Sequence, residues 1–118
     1  MMAFLLKQHK KVLLPFGENA RYDLVVDEDG KFIRIQCKSG RKIGAEIHFN
    51  ACSSGVNGRK DYRGQIEYFG VYCAELDKAY LVPVCKANKT DTVLRLAPST
   101  TRNSILRNKS LYAKDFQI

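Results

Sequence analysis

Two runs of strand-forming residues, 22–26 and 31–38, stand on either side of Asp27-Glu28-Asp29-Gly30, and no other stretch limits the possible folds of this chain as strongly. Asp-Gly between alternating runs is a strong local signal for a β-hairpin. Side chains alternate between the two faces of a strand. In the second run Ile33, Ile35 and Cys37 therefore share one face, and Phe32, Arg34, Gln36 and Lys38 the other. The first face suits a core; the second is mostly polar. In the first run Tyr22, Leu24 and Val26 are expected on one face, with Asp23 turned away beside Val25. Asp23 is the only acid in an otherwise apolar strand, and burying an unpaired carboxylate is costly, so it needs a cation, a hydrogen-bond donor or a metal. Pairing of the two runs brings it near Gln36 and Lys38.

The rest of the chain arranges itself around this hairpin. Residues 2–10 are expected to form a short helix that needs tertiary packing to persist. Residues 12–16 read as a short strand, with Pro15 marking an edge or a strand end. Residues 44–50 alternate in places and give a third strand for the sheet. The Ser, Gly, Asn and basic residues of 53–63 read as a loop. A second hairpin is expected from 66–76 and 80–84 about 77–79, although 62–68 also fits a helical turn. Residues 92–96 read as a last strand. Ser99 can then cap a helix to about residue 108, with Ile105 and Leu106 facing inward. The expectation is one mixed α/β domain over 1–118, with strands dominating.

With 20 Lys and Arg against 12 Asp and Glu, the formal charge is +8. Such a balance favours a polyanionic partner, nucleic acid first and a membrane surface second. From Lys78 to Lys114 there are eight basic residues and a single acid, Asp91. In the 53–63 segment Arg59, Lys60 and Arg63 are placed to touch a backbone phosphate. The four cysteines form no C-x-x-C pair and have no histidine at ligand spacing, which argues against zinc. With no secretory signal ahead of them, they read as reduced thiols in a cytoplasmic protein. No stretch reaches the length of a membrane-spanning helix. His9 and His48 read as packing or surface residues, and no nucleophile triad is suggested.

Asp23, then twelve residues, then Gln36-x-Lys38 at a strand end resembles the PD-(D/E)xK nuclease superfamily. The surroundings resemble its small group I intron-encoded homing endonucleases, in which Q-x-K replaces E-x-K. The matching blocks here are Pro15-Phe16-Gly17, Arg21-Tyr22-Asp23-Leu24-Val25, Gln36-Cys37-Lys38, I-E-Y-F-G-V-Y at 66–72 and Y-L-V-P-V at 80–84. The resemblance implies a restriction-endonuclease-like fold, a mixed β-sheet flanked by helices. It also implies metal-dependent hydrolysis of DNA phosphodiesters with Mg²⁺ (or Mn²⁺) on double-stranded DNA, by a homodimer or homotetramer.

The implied roles follow residue by residue. Asp23 anchors the metal, while Gln36 and the Cys37 carbonyl complete its shell. Lys38 handles the attacking water and the charge on phosphorus. Arg21, Arg41 and Lys42 flank the site and clamp the DNA backbone. Gln36 is neutral and adds no charge to hold a cation. Family members carry a longer N-terminal helix with a glutamate, and no acid precedes Glu18 here. Either Glu18 substitutes, or a first helix has been lost, or the protein is a degenerate nuclease. Glu46 is a further candidate from the third strand.

Other readings of the same residues stand beside these. Asp23 can pair with Arg34, Lys38 or Arg21. Lys38 can be a snorkelling strand-end lysine, and Gln36 can serve a backbone group. Glu46 can be a surface residue, Glu67 structural or exposed, and Tyr68 and Tyr72 core. For the whole chain the alternatives are a non-catalytic nucleic-acid-binding module and a partner-binding protein with incidental charge.

Overall fold

In a computed structural model the chain is described over residues 1–17, 19–55, 58–97 and 110–118, with backbone alone over 53–55 and 58–61. The Asp-Gly turn closes as its sequence demands. Asp29 and Gly30 take φ of 53° and 86°, and the Gly30 N–H donates to Asp27 Oδ1 at 2.9 Å. On either side, β2 (Leu24–Glu28) pairs antiparallel with β3 (Lys31–Ile43) from Glu28↔Lys31 to Leu24↔Ile35. The outer neighbour of β2 is the short edge strand β1 (Lys11–Leu13), which stops before Pro15.

β3 is the spine of the molecule. At 13 residues it outruns its sequence signal, because it has a second partner to run along. From Ile35 to Gly40 it lies parallel to β7 (Tyr68–Cys73), and from Arg41 to Ile43 antiparallel to β4 (Glu46–Asn50). β7 continues antiparallel into β8 (Lys78–Pro83). β4 pairs with β9 (Asp91–Arg95), which pairs parallel with β10 (Leu111–Tyr112). The result is a mixed eight-stranded sheet. Between β4 and β7, β5 (Cys52–Gly55) and β6 (Gly58–Asp61) pair only with each other, as a separate ribbon.

Each face of the sheet has its own core. The helix α1 (Met2–Lys7) lays Leu5 against Leu24, Val26 and Ile35, with Ile33, Cys37 and Tyr68 at the margin. The larger core holds Ile47, Phe49, Tyr62, Phe69, Val71, Tyr80, Val82 and Leu94. There Tyr62 meets Phe69 edge-on, with ring centroids 5.5 Å apart.

Among the described residues the helical content is α1, six residues long, and two 3₁₀ turns. Several finer expectations need correction. The expected 53–63 loop is largely the β5–β6 ribbon. The second hairpin turns over 74–77, ahead of the expected 77–79, because Asp77 adopts a positive φ of 49°. Tyr22 does not share a face with Leu24 and Val26: it packs against the larger core. The helix expected at 99–108 lies outside the described residues. All four cysteines are free thiols. No described helix is long and apolar enough to cross a membrane.

One polar clamp fixes β7 to β3. The Glu67 N–H donates to the Arg34 carbonyl at 3.0 Å, and Glu67 Oε1 accepts the Arg34 N–H at 2.9 Å. The Arg34 guanidinium adds a bidentate contact, with Nη2–Oε2 at 2.6 Å. The Arg34 side-chain bond holds the Glu67 carboxyl below its usual range. A depressed carboxyl stabilises the fold fully above the unfolded glutamate value of about 4.3, and that contribution is lost as pH falls through the folded value. Since the Arg34 side chain keeps 38% exposure, screening limits the pair to about 1 kcal/mol. Urea unfolding at pH 7 and pH 3 checks this: Glu67→Gln lowers the midpoint at pH 7 and removes part of the decline at pH 3.

Candidate active site

Asp23 sits at the point where β2 stops and β3 continues. Its N–H donates to the Ile35 carbonyl at 2.9 Å, although the register partner of Ile35 is Leu24. This one-residue offset is that of a bulge, which re-aims side chains and ends pairing. It sends Tyr22 to the opposite core and frees the Asp23 carboxylate to take a ladder position. Asp23 Oδ2 accepts the Cys37 N–H at 2.8 Å, standing where a strand carbonyl would otherwise be. Burial, and then the charge of Asp23, push the Cys37 thiol up.

Gln36 and Lys38 flank that amide on the polar side of β3. The Gln36 Nε2 lies 3.5 Å from the Cys37 carbonyl, so turning Oε1 to that point takes a half-turn of the amide. Lys38 Nζ donates to the Cys52 carbonyl at 3.2 Å and lies 3.5 Å from the Tyr62 hydroxyl, 4.9 Å from the centre of that ring. Arg21 stacks on the same ring, its Cζ 3.9 Å from the centroid, and its Nε donates to Gln65 Oε1. Asp23, Cys37, Lys38, Ser39 and Tyr72 help line one open groove of about 370 Å³.

The structure thus brings Asp23 onto the Cys37 backbone, with Gln36 and Lys38 on the residues either side. Among the described residues no cation forms an ion pair with Asp23: Arg34 is taken by Glu67, and Lys38 turns to Tyr62 and Cys52. Arg41 and Lys42 are exposed at the far end of β3, opposite His48 and Ile47. At about 3.3 Å per residue, Arg41 lies roughly 10 Å along the strand from Lys38. Arg63 is exposed just past the foot of the ribbon. The backbones of Arg59 and Lys60 pair with Ser54 and Ser53. Their side chains, and Glu18, lie outside the described residues.

Glu46 turns to His48 at 3.3 Å and Arg95 at 3.7 Å, and His48 also meets Asp91 at 3.1 Å. Tyr72 donates to Asp77 at 2.8 Å, and Tyr68 packs beside the smaller core.

Sequence reasoning passed over Tyr62 and the Cys52 carbonyl, the two groups that hold Lys38. The signal was Asn57-Gly58, a hairpin dipeptide inside the supposed loop. That dipeptide points to a hairpin but not to its register. A two-residue turn there would set Cys52 against Arg63, whereas the strands pair Cys52 with Asp61, which brings Tyr62 next to the foot of the ribbon.

Among the described residues no group of three His, Cys, Asp or Glu side chains can hold a metal. By donor chemistry, the Asp23 carboxylate, the Cys37 carbonyl and, after a half-turn of its amide, the Gln36 oxygen would make a set of oxygen donors with one formal charge. Such a set fits a hard divalent cation that keeps several waters and takes further oxygens from a phosphate. It does not fit zinc or another soft ion.

A family model described as PD-(D/E)XK endonuclease matches residues 1–118. Among solved structures, one titled as that of a bacterial homing endonuclease, I-Ssp6803I, matches with a TM-score of 0.68 at 21% identity. The match covers 98% of this chain and 77% of that one. At that identity the likeness carries the fold alone, and the expected restriction-endonuclease-like, strand-rich mixed sheet is the one observed. No curated protein matches.

Proposed function

We propose that this chain, which belongs to the PD-(D/E)XK endonuclease family, is a divalent-metal-dependent endonuclease of the homing type acting on double-stranded DNA. The observation that carries the reading is the Asp23 carboxylate held on the Cys37 amide at 2.8 Å, with Gln36 and Lys38 on either side of that residue. Asp23, the Cys37 carbonyl and Gln36 would hold Mg²⁺ or Mn²⁺. When bound, such an ion polarises a phosphoryl oxygen and makes water a better nucleophile at neutral pH.

The chain's own residues do the rest. Lys38 supplies a positive charge for the attacking water and for the negative charge that develops on the phosphoryl oxygens. Arg21, Arg41, Lys42 and Arg63, with Arg59 and Lys60 on the ribbon, contact backbone phosphates and set the duplex against the sheet. Glu18 and Glu46 remain secondary candidates for the metal shell, Glu46 the weaker because His48 and Arg95 already hold it. The +8 charge supports the polyanionic partner.

Cutting both strands needs two sites, so the working unit is a homodimer or homotetramer. Exposed Leu13, Leu14 and Phe32, which line one open groove, support self-association. The free thiols support a reducing cytoplasm.

The test is conversion of supercoiled plasmid and of a duplex library. Products appear with Mg²⁺ or Mn²⁺, and chelator stops them. The same charge pattern also suits a non-catalytic binding module on this fold. That module retains DNA in a salt-sensitive way and yields no products with any divalent ion. Protein that cuts nothing but binds DNA overturns the enzyme reading.

A further inference from the structure

The ammonium of Lys38 is a compact charge on a flexible four-carbon stem, and a charge that must meet a reacting phosphate gains rate from being held in place. Three groups hold it: the Cys52 carbonyl at 3.2 Å, the Tyr62 hydroxyl at 3.5 Å and the face of the Tyr62 ring at 4.9 Å. Cys52 opens β5, and Tyr62 follows the last residue of β6, so the two groups are the two feet of one ribbon. Tyr62 is itself rigid: it is 5% exposed and wedged edge-on against Phe69. The same ring carries the Arg21 guanidinium at 3.9 Å, two residues before Asp23. One buried ring therefore touches cations from both arms of the first hairpin, on either side of the candidate metal ligands.

We infer that Tyr62 is a positioning residue for Lys38, anchoring the ammonium from the foot of the β5–β6 ribbon so that it meets the phosphate in one orientation. The inference rests on the nuclease reading for its catalytic half. Its structural half, the hold on Lys38, stands by itself. The ribbon that carries Arg59 and Lys60 is by this route joined through Tyr62 to the residue that handles charge at phosphorus.

The experiment has two arms on the full chain, comparing wild type with Tyr62→Phe, which keeps the ring and removes the hydroxyl, and with Tyr62→Leu, which removes both. In the first arm, trace acetylation with acetic anhydride at one fixed pH is read by mass spectrometry. In wild type Lys38 is expected to react about tenfold more slowly than exposed Lys42. Tyr62→Phe raises that rate about threefold and Tyr62→Leu further, as hydrogen bond and ring contact are lost in turn. In the second arm, single-turnover cleavage with Mg²⁺ falls about fivefold to tenfold in Tyr62→Phe. DNA affinity stays within about twofold, because Tyr62→Phe keeps the ring on which Arg21 stacks and leaves the Lys38 charge in place.

Lys38 acetylation unchanged in both variants overturns the hold. Raised acetylation with wild-type cleavage in Tyr62→Phe overturns the positioning role. Wild-type protein that cuts nothing overturns the nuclease reading and the catalytic half with it, and the acetylation arm still decides the hold. Circular dichroism of Tyr62→Phe, expected to match wild type, separates these outcomes from misfolding.

Discussion

Asp23→Ala slows Mg²⁺-dependent cleavage by at least about 10³-fold while duplex binding at low salt stays within about threefold. The reasoning starts from what the carboxylate touches. Asp23 is exposed, so its removal opens no core cavity. Among the described residues its carboxylate accepts one hydrogen bond, from the Cys37 amide at 2.8 Å, where water can replace it. Folding stability therefore falls by about 1 kcal/mol, too little to unfold the domain.

Activity responds differently, because Asp23 carries the only formal charge in the proposed oxygen shell. Asp23→Asn separates the two roles. The amide oxygen still accepts the Cys37 N–H, so the thermal midpoint stays near wild type, yet the charge that holds a divalent ion is gone. If Asp23 served only to satisfy that amide, Asn would cleave as well as Asp. Single-turnover rates and melting curves for wild type, Asn and Ala check this. Full activity in Asp23→Asn sinks the metal role, whatever Ala does.

The parts of this molecule that were legible from sequence are those set by neighbours in the chain. Asp29-Gly30 fixes its turn through two positive φ values, and the two-residue period sorts Ile35 and Cys37 from Gln36 and Lys38. Both follow from local chemistry. Alternation alone puts Tyr22 beside Leu24 and Val26; the bulge at Asp23 turns it over, and that bulge depends on which Ile35 and Cys37 groups lie opposite. The polar run Ser39-Gly40-Arg41-Lys42 gave no reason to extend β3, which continues because β4 replaces β7 as its partner. Arg34 found Glu67, 33 residues away, at a contact no spacing rule anticipates.

The candidate site divides in the same way. The backbone spacing of Gln36 and Lys38 was visible from alternation, whereas the destination of the Lys38 ammonium was not. It is set by Tyr62 and Cys52, whose approach depends on the ribbon closing.

Gly40→Val costs about 3 kcal/mol, at the upper end of overpacking effects. Gly40 is where β3 passes from β7 to β4, and the sheet closes on it from both sides. A Cβ built there would stand 2.8 Å from Ile47 Cγ2 and 2.9 Å from Val71 Cγ1, with the Tyr72 carbonyl at 3.6 Å. Both methyl groups belong to fully buried side chains, so neither can swing away, and the two further methyls of valine deepen the overlap.

For a chain of this size the loss lowers the melting midpoint by on the order of 10 °C. Gly44→Ala is the control. Gly44 has a positive φ of 59° but nothing within 4 Å of its would-be Cβ, so its cost is backbone strain of about 1 kcal/mol. If side-chain overlap is the cause at Gly40, then Gly40→Ala and Ile47→Ala together cost less than the sum of the two alone, by about 1 kcal/mol. Strict additivity in urea melts would reject that cause. Because Gln36 and Lys38 lie on the same strand just before the switch, cleavage by Gly40→Val should fall only in proportion to its folded fraction. A larger loss in protein still fully folded would mean that Gly40 also sets the register of the site.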